Sequence, residues 1–351
     1  MSESNLVNIL ITGGCGFIAS NFIQHLLKIG KYRVYNVDKL DYCSNVKNVE
    51  VQYDVVTQEE KKVDLTNYTF IRGNIRDTNF MVHLLKTYDI QYIMHFAAQT
   101  SVDNSFGNVN DFVYDNVAGT TSLLEACREY GKVKKFIHVS TDEVYGTISP
   151  DTDVNKIFKH DIKNPTNPYA ATKVGAECMV NSYAISYGIP TIITRSNNVY
   201  GPRQYYDKLI PRFCKLLSEG KKCTIHGTGE AKRNFLHVYD ASRAYLMILE
   251  KGEIGKIYEM GVEEDYSVME VTKDIIQNFK ENEEGGEGNV NDWITFVEDR
   301  HFQDLRYCIN TKNLNQLGWK PIVKFTQGLR QTIKWYQNYA IPNDYWSKNR
   351  G

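Results

Sequence analysis

The chain has 351 residues, 42% of them hydrophobic and 24% charged, and its formal net charge at pH 7 is −1. This composition is typical of a globular protein with a substantial core, and a charge near zero disfavours nucleic acid or an anionic membrane as the main partner. The seven cysteines include no C-x-x-C pair, and no apolar run reaches the ~20 residues that a membrane span needs. We therefore expect a cytoplasmic protein with reduced thiols and no metal site.

Short apolar segments alternate with longer helical patterns in the first part of the chain. The apolar segments are hydrophobic throughout rather than at every second residue, which indicates strands buried on both faces of a parallel sheet. Their β-α-β order predicts an α/β fold with a Rossmann-type doubly wound parallel sheet. The predicted strands are Val7–Thr12, Tyr32–Val37, Tyr68–Arg72, Tyr92–Ala97, Lys135–Ser140 and Thr191–Arg195, and the predicted helices are Phe17–Ile29, Asn79–Tyr88, Phe112–Tyr130 and Ala170–Tyr187.

A glycine-rich turn, TGGCGFIAS, joins the first predicted strand to the first predicted helix. Gly13, Gly16 and Ala19 follow the spacing G-x-x-G-x-x-G/A, which lets the backbone approach a pyrophosphate at the positive end of the helix dipole. Asp38 ends the second strand, 22 residues beyond Gly16. A carboxylate there accepts hydrogen bonds from a ribose 2′-hydroxyl and repels a 2′-phosphate, which favours NAD over NADP. The alternative is a structural turn followed by a surface aspartate.

The pattern becomes looser and richer in turns after Ser196. We assign residues 1–195 to an NAD-binding Rossmann domain and residues 196–351 to a smaller C-terminal substrate-binding lobe. The chain is expected to return to the first domain near residues 234–250, because a helix is predicted around Asp240–Glu250.

Tyr169 and Lys173 lie four residues apart in PYAATK, on one face of a predicted helix. A lysine ammonium beside a phenol favours the phenolate, so Tyr169 is a candidate general base toward a sugar hydroxyl. Lys173 is also expected to reach the nicotinamide ribose. A solvated Tyr–Lys pair is the alternative, but the position of this pair in the helix after a sheet strand makes the pattern more specific.

Three polar residues, Thr141, Asp142 and Glu143, follow a predicted strand in HVSTDEVYG. Open α/β sheets bind ligands at the carboxyl ends of their strands, so these side chains are expected to face the cofactor. Two adjacent carboxyl groups can be held in different protonation states, so that one donates a proton while the other accepts one. A helix or turn cap would account for one of these residues but not for three in a row.

Six strings carry a likeness to a known family: TGGCGFIAS, HFAAQTSVDNS, STDEVYG, NPYAATK, RSNNVYGPRQ and VEDRHFQDLRY. With them the chain resembles the nucleotide-sugar 4,6-dehydratases of the extended short-chain dehydrogenase/reductase family, from about residue 7 to about residue 340. STDEVYG is the most diagnostic string, because related sugar epimerases share the glycine loop and Y-x-x-x-K but usually lack the Asp-Glu pair.

The resemblance implies dehydration of a nucleoside-diphosphate glucose without net redox change. Tyr169, helped by Thr141 and Lys173, would take the C4-hydroxyl proton while NAD takes the C4 hydride. The resulting ketone acidifies the C5 hydrogen, which Glu143 would remove while Asp142 protonates the departing C6 hydroxyl. Return of the hydride to C6 would then give a 4-keto-6-deoxy sugar.

Binding residues are also implied by the resemblance. Asn198 and Arg233 would contact the diphosphate, with Lys208 as a further candidate cation, and Arg300 and Tyr307 would lie at the nucleotide end. Arginine suits such a site because its planar fork binds phosphate oxygens two at a time. The residues expected to contact NAD are Gly13, Gly16, Phe17, Ile18, Asp38, Asn74, Ile75, Ala97, Tyr169 and Lys173.

A few positions bear on the choice of nucleotide. Gln99 and Thr100 replace a Glu-Ser pair that is common in the dTDP-glucose enzymes, and Asn74 replaces an aspartate that the family commonly uses near the adenine. The strings HFAAQTSVDNSFGN, KGEIGKIYEMG and RHFQDLRY look more like the UDP-glucose 4,6-dehydratase domain of UDP-rhamnose synthases. UDP-glucose is therefore favoured over dTDP-glucose. Those synthases also epimerise and reduce the keto sugar in a second domain, so a separate downstream enzyme is expected here.

Two other functions stay open: a sugar-nucleotide C4-epimerase or dehydrogenase on the same fold, and a non-catalytic protein that binds NAD or a sugar nucleotide. Asp142 and Glu143 argue against the first, and their presence together with Thr141, Tyr169 and Lys173 argues against the second. The last two predicted helices carry more apolar positions than one sheet face needs, which in similar enzymes builds a dimer contact. We expect a homodimer, the alternative being that these residues pack on the sheet and the lobe.

Overall fold

A computed structural model describes residues 6–54, 56–57, 59–148, 152–281, 289–298 and 307–347. The strands in this part of the chain are β1 (Val7–Thr12), β2 (Tyr32–Asp38), β3 (Val51–Asp54), β4 (Glu59–Lys62), β5 (Tyr68–Arg72), β6 (Tyr92–His95), β7 (Lys135–Val139), β8 (Thr191–Ser196), β9 (Asn198–Tyr200), β10 (Cys223–His226), β11 (Lys232–His237), β12 (Ile257–Met260), β13 (Asp265–Ser267) and β14 (Ile294–Val297).

The α-helices of the same ranges are α1 (Phe17–Ile29), α2 (Lys47–Glu50), α3 (Thr78–Thr87), α4 (Val102–Gly107), α5 (Val109–Phe112), α6 (Gly119–Tyr130), α7 (Val154–His160), α8 (Pro168–Tyr187), α9 (Leu209–Ser218), α10 (Val238–Lys251), α11 (Val268–Lys280), α12 (Lys312–Gln316) and α13 (Phe325–Trp335). The same ranges also contain two π-helical segments, Val113–Ala118 and Tyr336–Ala340, and two 3₁₀ turns, Asp142–Tyr145 and Val290–Trp293.

A parallel sheet in the order β12-β8-β7-β6-β1-β2-β5 forms the centre of the molecule. β1 lies between β6 and β2, and its last residue, Thr12, pairs with His95 on one side and Val37 on the other. The carboxyl ends of β1, β2, β6, β7 and β8 therefore meet at one edge of the sheet. The predicted α/β, Rossmann-type fold is confirmed.

Helices cover both faces of this sheet. α1 and α10 pack together on one face, around Phe22, Tyr245 and Ile248. α3, α6 and α8 pack on the other face, around Leu85, Leu124 and Val180. These side chains come from continuous apolar positions of the strands and from the inward faces of the helices, which is why the strand sequences do not alternate.

A smaller lobe has its own core around Phe213, Ile275 and Trp335. It contains the three-stranded sheet β13-β11-β9 and the parallel pair β10-β14. The chain crosses between the two parts more than once. α10 lies in the region that was predicted to return to the first domain. Further along the chain, β12 forms an edge of the main sheet, and Leu314 and Trp319 join the hydrophobic core on the face that α1 covers. The sheet thus draws on residues further along the chain than 234–250.

The predicted helix Phe112–Tyr130 is present but changes its hydrogen-bonding pattern within Val113–Ala118, where the turns are π-helical. Asn116 in this segment accepts a hydrogen bond from the backbone N–H of Gln99 (2.7 Å) and donates to Thr172 (3.0 Å). Periodicity alone gave no sign of the extra residue in the turn, since π-turns keep the helix continuous. Within the ranges given above, no helix is both long and apolar enough to cross a membrane.

Candidate active site

A cavity of about 460 Å³ lies at the carboxyl edge of the sheet, between the main sheet and the smaller lobe. Its wall includes residues that follow β1, β2, β6, β7 and β8, together with residues of β9, β11 and α9. This is the edge at which parallel α/β sheets bind ligands. In the part of the chain that the structure describes, no group of three or more His, Cys, Asp and Glu side chains is arranged to hold a metal ion.

The glycine loop is shaped for close contact with a ligand. Gly13 has a φ of +70°, and a Cβ at this position would lie 2.7 Å from the Cα of Ala97. Gly16 is the N-cap of α1 and no side chain caps this helix end. The backbone N–H groups of the first turn are therefore available to an anion, and the helix dipole favours negative charge there. These features fit the pyrophosphate of a dinucleotide.

Asp38 fits the ribose end of the same ligand. Its carboxyl accepts hydrogen bonds from the backbone N–H groups of Cys15 (2.9 Å) and Leu40 (2.8 Å), and its side chain lines the cavity. Burial raises the pKa of this carboxyl, and the two backbone hydrogen bonds oppose that rise. The remaining oxygen lone pairs can accept from ribose hydroxyls. The other residues predicted to contact NAD also line the cavity: Phe17, Ile18, Asn74, Ile75, Ala97, Tyr169 and Lys173.

Sequence patterns gave no sign of a polar bridge above the glycine loop. Lys39, after β2, forms ion pairs with Asp41 (2.9 Å) and Asp115 (2.6 Å). Gln99, after β6, donates to the same two carboxylates at 2.7 and 2.9 Å. Because β1 lies between β6 and β2, these bonds pass over the end of β1, where the loop begins with Gly13. We call Lys39, Asp41, Gln99 and Asp115 the bridge quartet.

Tyr169 and Lys173 lie in the first turns of α8 and line the cavity. Asn167 caps this helix, since its side chain accepts a hydrogen bond from the N–H of Ala170 (2.9 Å), and Pro168 occupies the first helical position. Both residue types favour a helix start. The Asn-Pro pair in NPYAATK therefore indicates where the helix of Tyr169 begins.

The environment of Tyr169 differs from the sequence expectation. Burial raises the pKa of the phenol, the negative charge of Glu143 raises it further, and a hydrogen bond with Thr141 opposes both. Nζ of Lys173 donates to the backbone carbonyl of Val139 (2.7 Å), and burial lowers the pKa of this lysine to about 8. The expected stabilisation of the phenolate by Lys173 is thus countered by desolvation, which the four-residue spacing does not reveal.

Asp142 and Glu143 occupy different surroundings. Glu143 lines the cavity, and Nδ2 of Asn167 lies 3.4 Å from its carboxylate. Asp142 is only 1% exposed and lies behind the cavity wall, where Asn197 donates to its Oδ2 (3.0 Å). Burial raises the pKa of Asp142 to about 8, helped by the charge of Glu143 and opposed by Asn197. Of the two carboxyl groups, only that of Glu143 lines the cavity; Asp142, which was also expected to face the cofactor, lies behind the wall, where burial favours its protonated form.

Thr141 connects these groups. Its hydroxyl lies 3.4 Å from Oδ1 of Asp142, accepts a hydrogen bond from the N–H of Glu143 (3.3 Å), and bonds to the phenol of Tyr169. The 3₁₀ turn Asp142–Tyr145 begins directly after Thr141, which caps it. The turn directs the two consecutive acidic side chains to opposite sides of the cavity wall.

Four of the five predicted substrate residues line the far end of the cavity: Asn198, Lys208, Arg233 and Tyr307. The Arg233 guanidinium lies 4.9 Å from the centre of the Tyr307 ring, and Nζ of Lys208 donates to the carbonyl of Thr100 (2.8 Å). Arg300, the fifth, lies outside the described residues. The site therefore joins a dinucleotide cleft to a region with three cationic side chains, those of Lys208, Arg233 and Arg212, the last of which was not among the predicted residues.

Known proteins resemble this chain over nearly its full length. The model of the GDP-mannose 4,6 dehydratase family matches residues 10–332. A dTDP-D-glucose 4,6-dehydratase of Bos taurus is 44% identical over 336 residues, which cover 95% of this chain and 90% of the relative. This chain belongs to the nucleotide-sugar 4,6-dehydratases.

Two further relatives of this dehydratase are informative. A trifunctional UDP-glucose 4,6-dehydratase, epimerase and reductase of Arabidopsis thaliana is 43% identical over 332 residues, which cover 94% of this chain and 47% of the relative. The crystal structure of a dTDP-glucose 4,6-dehydratase from Streptomyces venezuelae with NAD bound gives a TM-score of 0.84 at 32% identity, covering 97% of this chain and 99% of that one. The predicted family, its hydro-lyase class and its cofactor NAD are confirmed. Identities of 44% and 43% do not separate dTDP-glucose from UDP-glucose.

A buried ion network supports the Asp142–Tyr145 turn of this dehydratase, and no sequence motif pointed to it. Arg195, at 1% exposure, donates to both carboxylate oxygens of Glu177 (2.9 and 2.6 Å) and to the hydroxyl of Tyr145 (2.5 Å). Tyr145 in turn donates to Glu259, which also accepts the N–H of Asn310 (2.5 Å). The network thereby ties the Asp142–Tyr145 turn to β8, to β12 and to α8, the helix of Tyr169.

Proposed function

We propose that this protein catalyses the NAD-dependent dehydration of a nucleoside-diphosphate glucose to the corresponding 4-keto-6-deoxy sugar nucleotide, with UDP-glucose as the favoured substrate and dTDP-glucose as the second. The observation that carries the proposal is the unequal pair Asp142 and Glu143. Asp142 is buried with a raised pKa, whereas Glu143 lines the cavity beside Tyr169. Dehydration needs one group that gives a proton and another that takes one.

The cavity supports NAD as the resident cofactor. The uncapped N-terminus of α1 would hold its pyrophosphate, Asp38 its adenosine ribose, and Tyr169 and Lys173 would lie near its nicotinamide end. When bound, NAD supplies the site that accepts the C4 hydride of the sugar and returns it to C6.

Tyr169 would act first, as the base for the C4 hydroxyl. The phenol must give up its own proton beforehand, against the effects of burial and of the Glu143 charge. The hydrogen bond from Thr141 lowers its pKa, and the ammonium of Lys173 acts in the same direction once it approaches the phenol. The result of this step is a ketone at C4.

Glu143 and Asp142 would carry out the elimination. The C4 ketone makes the C5 hydrogen acidic enough for a carboxylate, and Glu143 is the carboxylate that lines the cavity. Asp142 would supply the proton with which the C6 hydroxyl leaves as water. Glu143 then returns its proton to C5 when C6 is reduced. A positioned acid or base is typically worth ~10²–10⁴ in rate.

The substrate diphosphate would bind between Asn198 and Arg233, and Tyr307, stacked on Arg233, would lie at the nucleotide end. Uracil and thymine differ by one methyl group, which a binding site distinguishes by only ~1–3 kcal/mol. Both substrates are therefore tested. We propose that a separate enzyme epimerises and reduces the keto sugar, the two activities that the trifunctional relative combines with dehydration.

The test is direct. The purified protein, supplied with NAD, is incubated separately with UDP-glucose and dTDP-glucose, and alkali is then added. A 4-keto-6-deoxy product absorbs in the near ultraviolet in base, and we expect this signal with at least one substrate and faster with UDP-glucose. A C4-epimerase or a binding protein without activity gives no such signal, and its absence with both substrates would contradict the proposal.

We further propose that the protein forms a homodimer through α6, α8 and the π-helical segment before α6. Large apolar side chains are exposed there, including Tyr114 (50%), Ile185 (86%) and Tyr187 (55%). Burying them against a second copy would remove this surface from water. Size-exclusion chromatography with light scattering should give twice the chain mass, and Ile185→Glu should shift it toward the monomer. Ile254→Glu, at an exposed isoleucine outside these helices (49%), is the control.

A further inference from the structure

One side chain that hydrogen-bonds Asp142 has no role in the reaction proposed above. Asn197 follows β8, is 3% exposed, and lines the cavity next to Asn198, the proposed diphosphate ligand. Its Nδ2 donates to Oδ2 of Asp142 at 3.0 Å. Its Oδ1 accepts the backbone N–H of Val262 at 2.9 Å. Both ends of the amide are therefore engaged.

The bond from Val262 fixes which way the amide faces. A backbone N–H can only donate, so the Asn197 atom that it meets must be the oxygen, and the NH₂ group must then face Asp142. Gly261 makes this arrangement possible. A Cβ at Gly261 would lie 2.0 Å from Oδ1 of Asn197, so a larger residue there would push the amide away.

An amide NH₂ that donates to one carboxyl oxygen decides where the acid proton lies. Oδ2 of Asp142 accepts from Asn197, so a proton on Oδ2 would face another hydrogen and lose that bond. The proton is therefore placed on Oδ1. Oδ1 lies 3.4 Å from the hydroxyl of Thr141, a residue that lines the cavity, and this hydroxyl can donate to Oδ1 when Asp142 is ionised. Unlike the amide NH₂, a hydroxyl can also accept, so it can take a hydrogen bond from a protonated Oδ1 while its own hydrogen goes to Tyr169.

We propose that Asn197 is a positioning residue for the elimination step: it holds the carboxyl of Asp142 so that the transferable proton sits on Oδ1, toward Thr141 and the sugar. This inference rests on the proposed dehydratase function and adds a residue to it. It assigns Asn197 no contact with the reacting atoms and no part in the oxidation at C4. The charged and titratable groups that also face Asp142 stay unchanged in the experiment: Glu143, Arg233, Glu259, Tyr169 and Cys308.

Asn197→Asp tests this with little change in shape. The introduced carboxylate still accepts from Val262, but when ionised it cannot donate to Asp142. The proton of Asp142 would then be drawn onto Oδ2, between the two carboxyl groups and away from Thr141. Asn313→Asp is the matched control, because Nδ2 of Asn313 donates to a backbone carbonyl, that of Ile257 (2.9 Å), at an exposed position outside the cavity.

The NAD-loaded enzyme is supplied with a saturating nucleotide sugar that carries deuterium at C5. Three quantities are measured: appearance of reduced nicotinamide, loss of deuterium from C5, and formation of 4-keto-6-deoxy product. For Asn197→Asp we expect product formation to fall about 10²-fold or more, the usual effect of misplacing a general acid. Oxidation at C4 and exchange at C5 should continue, so reduced nicotinamide accumulates during turnover. Lowering the pH should restore part of the activity, because the introduced carboxyl donates again once it is protonated.

A purely structural role gives a different result. The three quantities would then fall together, in parallel with thermal stability and without recovery at low pH, and this outcome would overturn the inference. So would an unchanged rate of product formation. Gly261→Ala is an independent second variant that displaces Asn197 without altering any side chain near Asp142, and it should show the same accumulation of reduced nicotinamide. If the wild-type protein itself makes no product from either sugar nucleotide, the proposed function fails instead.

Discussion

Replacing Asp142 by asparagine should stabilise the protein, and the gain should grow with pH. Burial raises the pKa of this carboxyl from 3.8 to about 8. The folded protein therefore keeps a proton that the unfolded chain releases above pH 4, and its stability falls as the pH rises toward 8. Asparagine removes this dependence because it does not titrate, yet its oxygen can still accept from Asn197.

The size of the effect follows from the same pKa values. At pH 7 the unfolded aspartate lies about 3 pH units above its pKa, and each unit corresponds to about 1.36 kcal/mol, which sets an upper limit near 4 kcal/mol. Burying the amide offsets part of this, so we expect a gain of about 2 kcal/mol, or several degrees in Tm.

The assay is thermal unfolding of wild type and Asp142→Asn, each from pH 4 to pH 8. The gap in Tm should be near zero at pH 4 and should widen steadily up to pH 8. Asn313→Asp serves as the control for a change of charge at an exposed site, and its gap should follow no such trend. A constant gap for Asp142→Asn would show that Asp142 ionises normally, and the assignment of this residue as the proton donor would then be wrong.

Three further outcomes are expected. Glu143→Gln should still remove the C4 hydrogen but release no water, measured by reduced nicotinamide against product; full dehydration would remove Glu143 from its assigned role. Dehydration should decline as the pH rises through about 8, because Asp142 and Lys173 both lose their protons there; a pH–rate profile that stays flat to pH 9 would exclude this pair. Lys39→Met breaks the bridge quartet above the glycine loop and should release NAD several-fold faster during gel filtration than the control Lys86→Met. The ion pair of Lys86 with Glu129 lies at the surface. Equal release from the two variants would show that the quartet does not retain the cofactor.

Much of the sheet could be predicted because its signal is local. Each of the six predicted strands is present within one or two residues, since a strand buried on both faces needs a continuous apolar run. The seventh, Ile257–Met260, was missed. It is a short edge strand that lies far along the chain from β8, and only its pairing with β8 identifies it as part of the main sheet.

The candidate site likewise contains residues that local sequence patterns locate and residues that they do not. Gly13, Asp38, Tyr169 and the turn after β7 could be located because each follows a strand or opens a helix at a fixed spacing. The partners that set their chemistry are distant in the chain. Asn197 lies 55 residues from Asp142, a separation that no local motif bridges.

Burial itself was the other unpredicted factor. The four-residue spacing of Tyr169 and Lys173 predicted an ammonium that stabilises a phenolate, but both groups are desolvated, and desolvation raises the pKa of the phenol and lowers that of the lysine. Spacing reports which side chains share a helix face, whereas the cost of their charges depends on everything packed around them.

In the proposed reaction, one hydride leaves C4 and returns to C6 of the same sugar while water is lost. The most direct measurement uses UDP-glucose and dTDP-glucose carrying deuterium at C4, with the product analysed by NMR and mass spectrometry. We predict that the deuterium appears in the C6 methyl group of a 4-keto product. Deuterium retained at C4 of an epimerised sugar, or recovered unchanged in the starting material, would contradict the account.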